Sequence, residues 1–186
     1  MLVFIENVNS LNGEIIDYWR QNTDKSRREA VSKKNELHFK QSVLGDILSI
    51  KAARKFLNDE PPKIKRTKHG KPYFDIPNGY ISVSHSGDLV AVVIDSKPIG
   101  IDIEIIKPFN QKLIKRVCSE RETEYISEKI ERFFEIWTAK EAYLKIEGIG
   151  LSKGIINIIV NPETKTVNNM KWTLIKNENY ICSIIR

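Results

Sequence analysis

An α+β fold made of two similar halves is the architecture this sequence predicts, on three observations. The apolar stretch from Leu89 to Glu104, LVAVVIDSKPIGIDIE, reads as two buried strands joined by a short turn at Ser96-Lys97-Pro98. On each side of that turn the same element order recurs: a strand, then helices, then three strands. The third observation is helical spacing confined to one block in each half. The recurrence is one of element order, with no evident identity of sequence between the halves. The predicted boundary separates residues 1–96 from 97–186, and a site is expected where the pseudo-twofold halves meet, crossed by the Leu89–Glu104 hairpin.

In the first half, Met1 to Glu6 has the composition of a short strand. Leu11 to Arg20 and Lys25 to Leu57 are helical in spacing. The second run is too long for one ordinary helix and predicts a break near Ser32 to Asn35. Pro61-Pro62 and the basic KIKRTKHGKP read as a loop, followed by strands over Tyr73 to Ile76, Tyr80 to Ser84 and Leu89 to Asp95. In the second half, Ile99 to Ile105 is a strand. Helices are expected over Gln111 to Cys118, Glu120 to Glu128 and Glu131 to Glu147, the last closed by Gly148. Strands over Ile155 to Val160, Lys171 to Lys176 and Tyr180 to Ile185 complete the chain.

The composition is that of a soluble globular protein: 41% hydrophobic and 29% charged over 186 residues. A net charge of +6 favours an anionic partner, whether nucleic acid, acidic protein, phosphate-rich small molecule or membrane surface. Cys118 and Cys182 stand far apart without CxxC spacing, which argues against a disulfide framework or zinc site and suits the cytoplasm. The N-terminus lacks the basic and apolar regions of a signal peptide, and no apolar run approaches the roughly 18 residues of a membrane span. A cytoplasmic protein is expected.

Side chains alternate across a strand, so Asp102 and Glu104 share one face while Ile101, Ile103 and Ile105 take the other. A solvated strand face accounts for such a pair, and so does a cation; oxygen-only ligands suit Mg²⁺. Spacing puts Trp137, Lys140, Glu141, Leu144 and Lys145 on one broad helix face. Glu141 and Lys145 fit an ordinary surface pair, but the tryptophan argues for partial burial, where charges have partners or a task. Glu141 is then a third metal ligand or a base, and Lys140 and Lys145 phosphate ligands. Ser82-Val-Ser84-His85-Ser-Gly87 ends a strand, as a simple turn or as a phosphate cradle. The basic residues Lys25, Arg27, Arg28, Lys63, Lys65, Arg66, Lys68 and Lys71 are solvated charge or phosphate-capturing groups. Neither a P-loop frame nor a GxSxG elbow is present.

Together, GKPYF at 70–74, SVSHSG at 82–87, PIGIDIE at 98–104 and WTAKEAYLKIEGIGLS at 137–152 resemble the 4′-phosphopantetheinyl transferases of the larger, monomeric, surfactin-synthetase-activating type. The blocks occur in that family's order, and Gln41 to Asp46 and Lys25 to Arg28 extend the likeness more loosely. The resemblance implies two similar α+β halves, coenzyme A as co-substrate with Mg²⁺, and transfer of phosphopantetheine to a serine of an apo acyl or peptidyl carrier protein, leaving 3′,5′-ADP. It implies a metal triad of Asp102, Glu104 and Glu141, with Glu141 also the base and Lys145 on the transferring phosphate. It further implies coenzyme A contacts from Ser84, His85 and Lys71, and from Lys25, Arg28 and Ser42 near the 3′-phosphate. The KEA at 140–142, where relatives of this type carry KES, is similar to another branch. The competing expectations are a metal-dependent hydrolase of nucleotide pyrophosphates and a basic nucleic-acid-binding module. The latter is disfavoured by an aromatic content of only 9% and by acids on a central strand.

Overall fold

A computed structural model describes residues 1–68, 70–127, 129–148 and 154–186, with the Glu147 side chain left out. The chain mixes helix and sheet and divides into two compact units, Met1–Ser96 and Lys97–Arg186. None of its helices, among the described residues, is long and apolar enough to cross a membrane.

The first unit opens with β1 (Leu2–Asn7) and a 3-10 turn, followed by α1 (Gly13–Asn22), α2 (Lys25–Ser32) and α3 (Glu36–Leu57). The expected break falls where Asn35 caps α3, its side chain accepting from the His38 amide at 2.9 Å. Asn58, with φ of 55°, ends that helix in the left-handed region. β2 (Lys65–Arg66) pairs with β3 (Pro72–Tyr73) in a small ribbon inside the stretch expected to be a loop, which displaces the strand expected over 73–76. β4 (Tyr80–Ser86) and β5 (Leu89–Asp95) form a tight hairpin turning at Gly87, and the three-stranded sheet runs β1-β5-β4, all antiparallel. α3 lies on this sheet and buries Leu44, Leu48, Ala52 and Ala53 with Ile81, Val90, Val92 and Ile94.

The second unit opens with β6 (Gly100–Ile105), then α4 (Lys112–Val117), α5 (Glu120–Ile126) and α6 (Ile130–Glu147). Gly148, with φ of 70°, caps α6 by donating its amide to Leu144 O at 3.0 Å. After a 3-10 turn come β7 (Val160–Asn161), β8 (Thr166–Val167), β9 (Met170–Lys176) and β10 (Tyr180–Ile185), in a sheet ordered β6-β10-β9-β8-β7. α6 lies across β6 and β10 over a core of Phe133, Phe134, Ile136, Ala139, Ala142, Trp172, Ile181 and Ile185.

Two expectations are corrected. Leu89–Glu104 is not a hairpin: β5 pairs with β1 and β4, whereas β6 pairs with β10. The strand expected over Ile155 to Val160 is a 3-10 turn at Ile155–Asn157 followed by the two-residue β7, and β8 was not foreseen. The apolar residues of that stretch gave it strand composition, but Ile156 and Ile159 are exposed rather than alternating into the core. Two motif ends, Glu128 of the helix expected over 120–128 and residues 149–152 of the long Trp137 block, lie outside the described residues.

Candidate active site

The C-terminal unit holds the acidic residues. Asp102 and Glu104 lie in β6; Asp102 is 5% exposed and Glu104 partly buried. β6 is covered on both faces, since Ile101 and Ile103 are fully buried as well, so the acids do not form a freely solvated face.

Three features fit α6 onto this strand. A Cβ at Gly100 would run into the carbonyl oxygen of Ala142, so glycine is what permits the helix backbone so close. Ser183, the β10 partner of Asp102, lies 2.7 Å from the Thr138 hydroxyl and accepts from Trp172 Nε1 at 2.9 Å. Lys140 is fully buried, donating to Val117 O and to Glu122 Oε2, each at 2.7 Å. Glu122 also closes the α5 capping box with Ser119 and accepts from the Val160 amide at 3.1 Å. Lys140 therefore is not on the face of Lys145, and the phosphate role considered for it is corrected: its ammonium is enclosed by protein acceptors.

The result is a compact charged group. Lys145 Nζ donates to Asp102 Oδ1 at 2.7 Å. Glu141, one turn earlier on α6, has its Oε1 buried with no hydrogen-bond partner. Its carboxyl is pushed up to about 7, mainly by burial, then by the nearby charge of Asp102 and less by that of Glu104, with Lys145 opposing. Burial and Asp102 also push the Cys182 thiol up to about 12, and burial lifts Cys118 to about 11, so neither free cysteine is poised as a nucleophile. No group of three or more His, Cys, Asp or Glu side chains arranged to hold a metal ion is found among the described residues. The acids are coupled through charge without forming a ready three-ligand cage.

The N-terminal unit, taken by itself, carries basic and hydroxyl groups. Ser84 is buried and His85 exposed, both within β4, opposite Ala91 and Val90. Ser42 lies on α3 and accepts from Lys34 Nζ at 2.9 Å. The Lys34 ammonium is lowered from its ordinary range by burial and by the charges of Arg27 and Arg66. Asp46, buried, gathers those arginines, accepting from Arg27 Nε at 3.0 Å, from Arg66 and from Trp19 Nε1 at 3.1 Å. Lys71 follows Gly70, whose φ is 84°, and its carbonyl accepts from the Thr67 amide at 2.9 Å.

The structure places Lys25 in solvent beside Glu29, at 3.9 Å. Arg28 donates to the carbonyls of Arg20 and Thr23 at the end of α1. Lys34, which sequence reasoning passed over, is the basic group against Ser42. Its only signal was position: it stands just before Asn35, where α3 begins.

Residues 98–184 match the sequence model of the 4′-phosphopantetheinyl transferase superfamily. Among curated proteins, the chain is 36% identical over 122 residues to the 4′-phosphopantetheinyl transferase Sfp of Bacillus subtilis strain 168, covering 60% of this chain and 54% of that protein. It is 29% identical over 158 residues to gsp of Aneurinibacillus migulanus, covering 81% and 66%. With psf-1 of Bacillus pumilus it shares 41% over 93 residues, covering 47% and 40%. The chain thus spans about half the length of several of these relatives. They lend no support to the hydrolase or nucleic-acid-binding alternatives.

Proposed function

We propose that the protein, whose residues 98–184 match the 4′-phosphopantetheinyl transferase superfamily, transfers 4′-phosphopantetheine from coenzyme A to a serine of an apo acyl or peptidyl carrier protein. The observation that carries this reading is the Asp102–Lys145–Glu141 group inside the matched segment. The carrier serine oxygen attacks the pyrophosphate phosphorus bearing pantetheine; the bond to the bridging oxygen breaks, and 3′,5′-ADP leaves. Such a displacement needs alignment and charge stabilisation more than covalent help.

Glu141 is the base that takes the serine proton, directly or through water. General base assistance typically contributes about 10²–10⁴-fold. Lys145 holds the phosphate undergoing transfer. In the N-terminal unit, Ser84, His85, Ser42 and Lys71 bind coenzyme A phosphates, Lys34 joins Ser42, and Lys25 and Arg28 add positive charge.

Asp102, Glu104 and Glu141 fit a hard divalent cation, because Glu141 Oε1 is buried without a hydrogen-bond partner and all the donors are oxygen. Mg²⁺ typically takes one or two carboxylates with phosphate and water, so a three-carboxylate cage is not required of the protein. When bound, such an ion neutralises the pyrophosphate charge. The setting proposed is the cytoplasm, with the protein acting as a monomer.

Coenzyme A, MgCl₂ and an apo carrier protein, followed by intact-mass spectrometry, test the reading. A carrier mass gain of one phosphopantetheine group, lost in excess EDTA, is expected. Release of 3′,5′-ADP with an unmodified carrier would overturn it.

A further inference from the structure

The first turn of α3 brings a second imidazole beside His85. The ring of His38 has its centroid 6.4 Å from that of His85, with the planes inclined at 49°. Ser42 follows His38 by four residues and so shares its face of the helix; Ser42 in turn holds Lys34. Between them Gln41 is 4% exposed and donates Nε2 to Gly87 O at 2.7 Å. This bond latches the β4–β5 turn to α3, so the spacing of the two imidazoles is set by the backbone. The Oε1 of Gln41 is buried with no hydrogen-bond partner.

We infer that His38 is a specificity-determining contact for the phosphate monoester of the substrate, forming one anion-binding face with His85, Ser42 and Lys34. The inference rests on the transferase reading and adds to it a residue that none of the sequence motifs contains. Imidazole, hydroxyl and ammonium are all donors to phosphate oxygens. Hydrogen bonds of about 2.9 Å from two rings at this separation converge on a single phosphate group. Because His38 and Ser42 belong to one rigid helix, the face measures where a monoester sits as well as its charge. A nucleotide with a 3′-phosphate is therefore favoured over one without.

Calorimetric titration of the full chain with 3′,5′-ADP and with 5′-AMP tests this. The unsubstituted protein is expected to prefer 3′,5′-ADP, and His38→Ala to lose most of that preference, by about tenfold for one charge-assisted bond. His38→Lys places a donor to phosphate there again and is expected to recover the preference; a passive structural role for the imidazole gives no such rescue. Thermal unfolding without ligand shows that the variants fold, and His38→Gln, which keeps a neutral donor, provides a second variant if alanine disturbs α3. An unaltered preference in His38→Ala overturns the inference and leaves the transferase reading standing. Failure of the unsubstituted protein to bind 3′,5′-ADP overturns both.

Discussion

At the scale of single residues, Glu141 ties stability to pH. Its carboxyl titrates near 7 in the folded protein against an ordinary 4.5, because burial and the charge of Asp102 disfavour ionisation. The folded state therefore holds this proton more firmly than the unfolded chain. Its contribution to stability is complete below about 4.5 and is lost as pH rises through about 7. Without divalent cations, the unfolding midpoint should fall more steeply between these values than in Glu141→Gln, as read by calorimetry at a series of pH values. Asp102→Asn keeps the side-chain shape, relieves the repulsion on Glu141 and leaves Lys145 partly open to water. Transfer to a carrier should drop by about 10²–10³-fold, the usual cost of removing one preorganised electrostatic group, while the far-ultraviolet circular dichroism stays native. The Asp-x-Glu spacing and the Glu141–Lys145 interval made these residues legible in the sequence. The isolation of Glu141 Oε1 was not, because it depends on what α6 packs against.

At the scale of elements, α6 is positioned by a helix-to-strand approach and by an enclosed ion pair. Gly100→Ala puts a methyl against the Ala142 carbonyl, and backbone cannot rotate aside as a side chain does. Overpacking of this sort costs about 1–3 kcal/mol or more. It should shift α6 away from β6, so that transfer falls by more than the loss in unfolding midpoint accounts for. Lys140→Met leaves Glu122 buried without its cation, at a cost of about 3–5 kcal/mol as measured by urea unfolding. Sequence pattern located α6 and its glycine cap because apolar spacing and a left-handed terminator are local properties. It misread Lys140, because a lysine beside a glutamate on a tryptophan-bearing helix looks the same whether its ammonium meets solvent or Glu122. The 3-10 turn at 155–157 escaped for a related reason: consecutive isoleucines carry no period that separates a turn from a strand.

At the scale of the whole molecule, a net charge of +6 and a pI near 9.2 favour encounter with an acidic partner. Raising salt from about 0.1 to 1 M shortens the screening length from about 10 to 3 Å. On the transferase reading, kcat/KM for an acidic carrier should fall over that range with kcat largely retained, as initial-rate measurements would show. The compact units are Met1–Ser96 and Lys97–Arg186, and the apolar runs flanking Ser96-Lys97-Pro98 suggested a hairpin that the strand pairing does not form. Strand partners are fixed by pairing over long sequence distances, which composition does not encode. In each unit the first strand pairs with the last, β1 with β5 and β6 with β10. For the second unit this pairing joins Gly100 to Ile185 and encloses nearly the whole unit within one loop. Long loops of this kind close late in folding, because chain entropy is lost before the contacts are made. During synthesis, β6 and its two acids thus leave the ribosome without a strand partner and wait for one until β10 emerges. The acidic strand is made early but gains its strand pairing only after the last strand of the unit has docked.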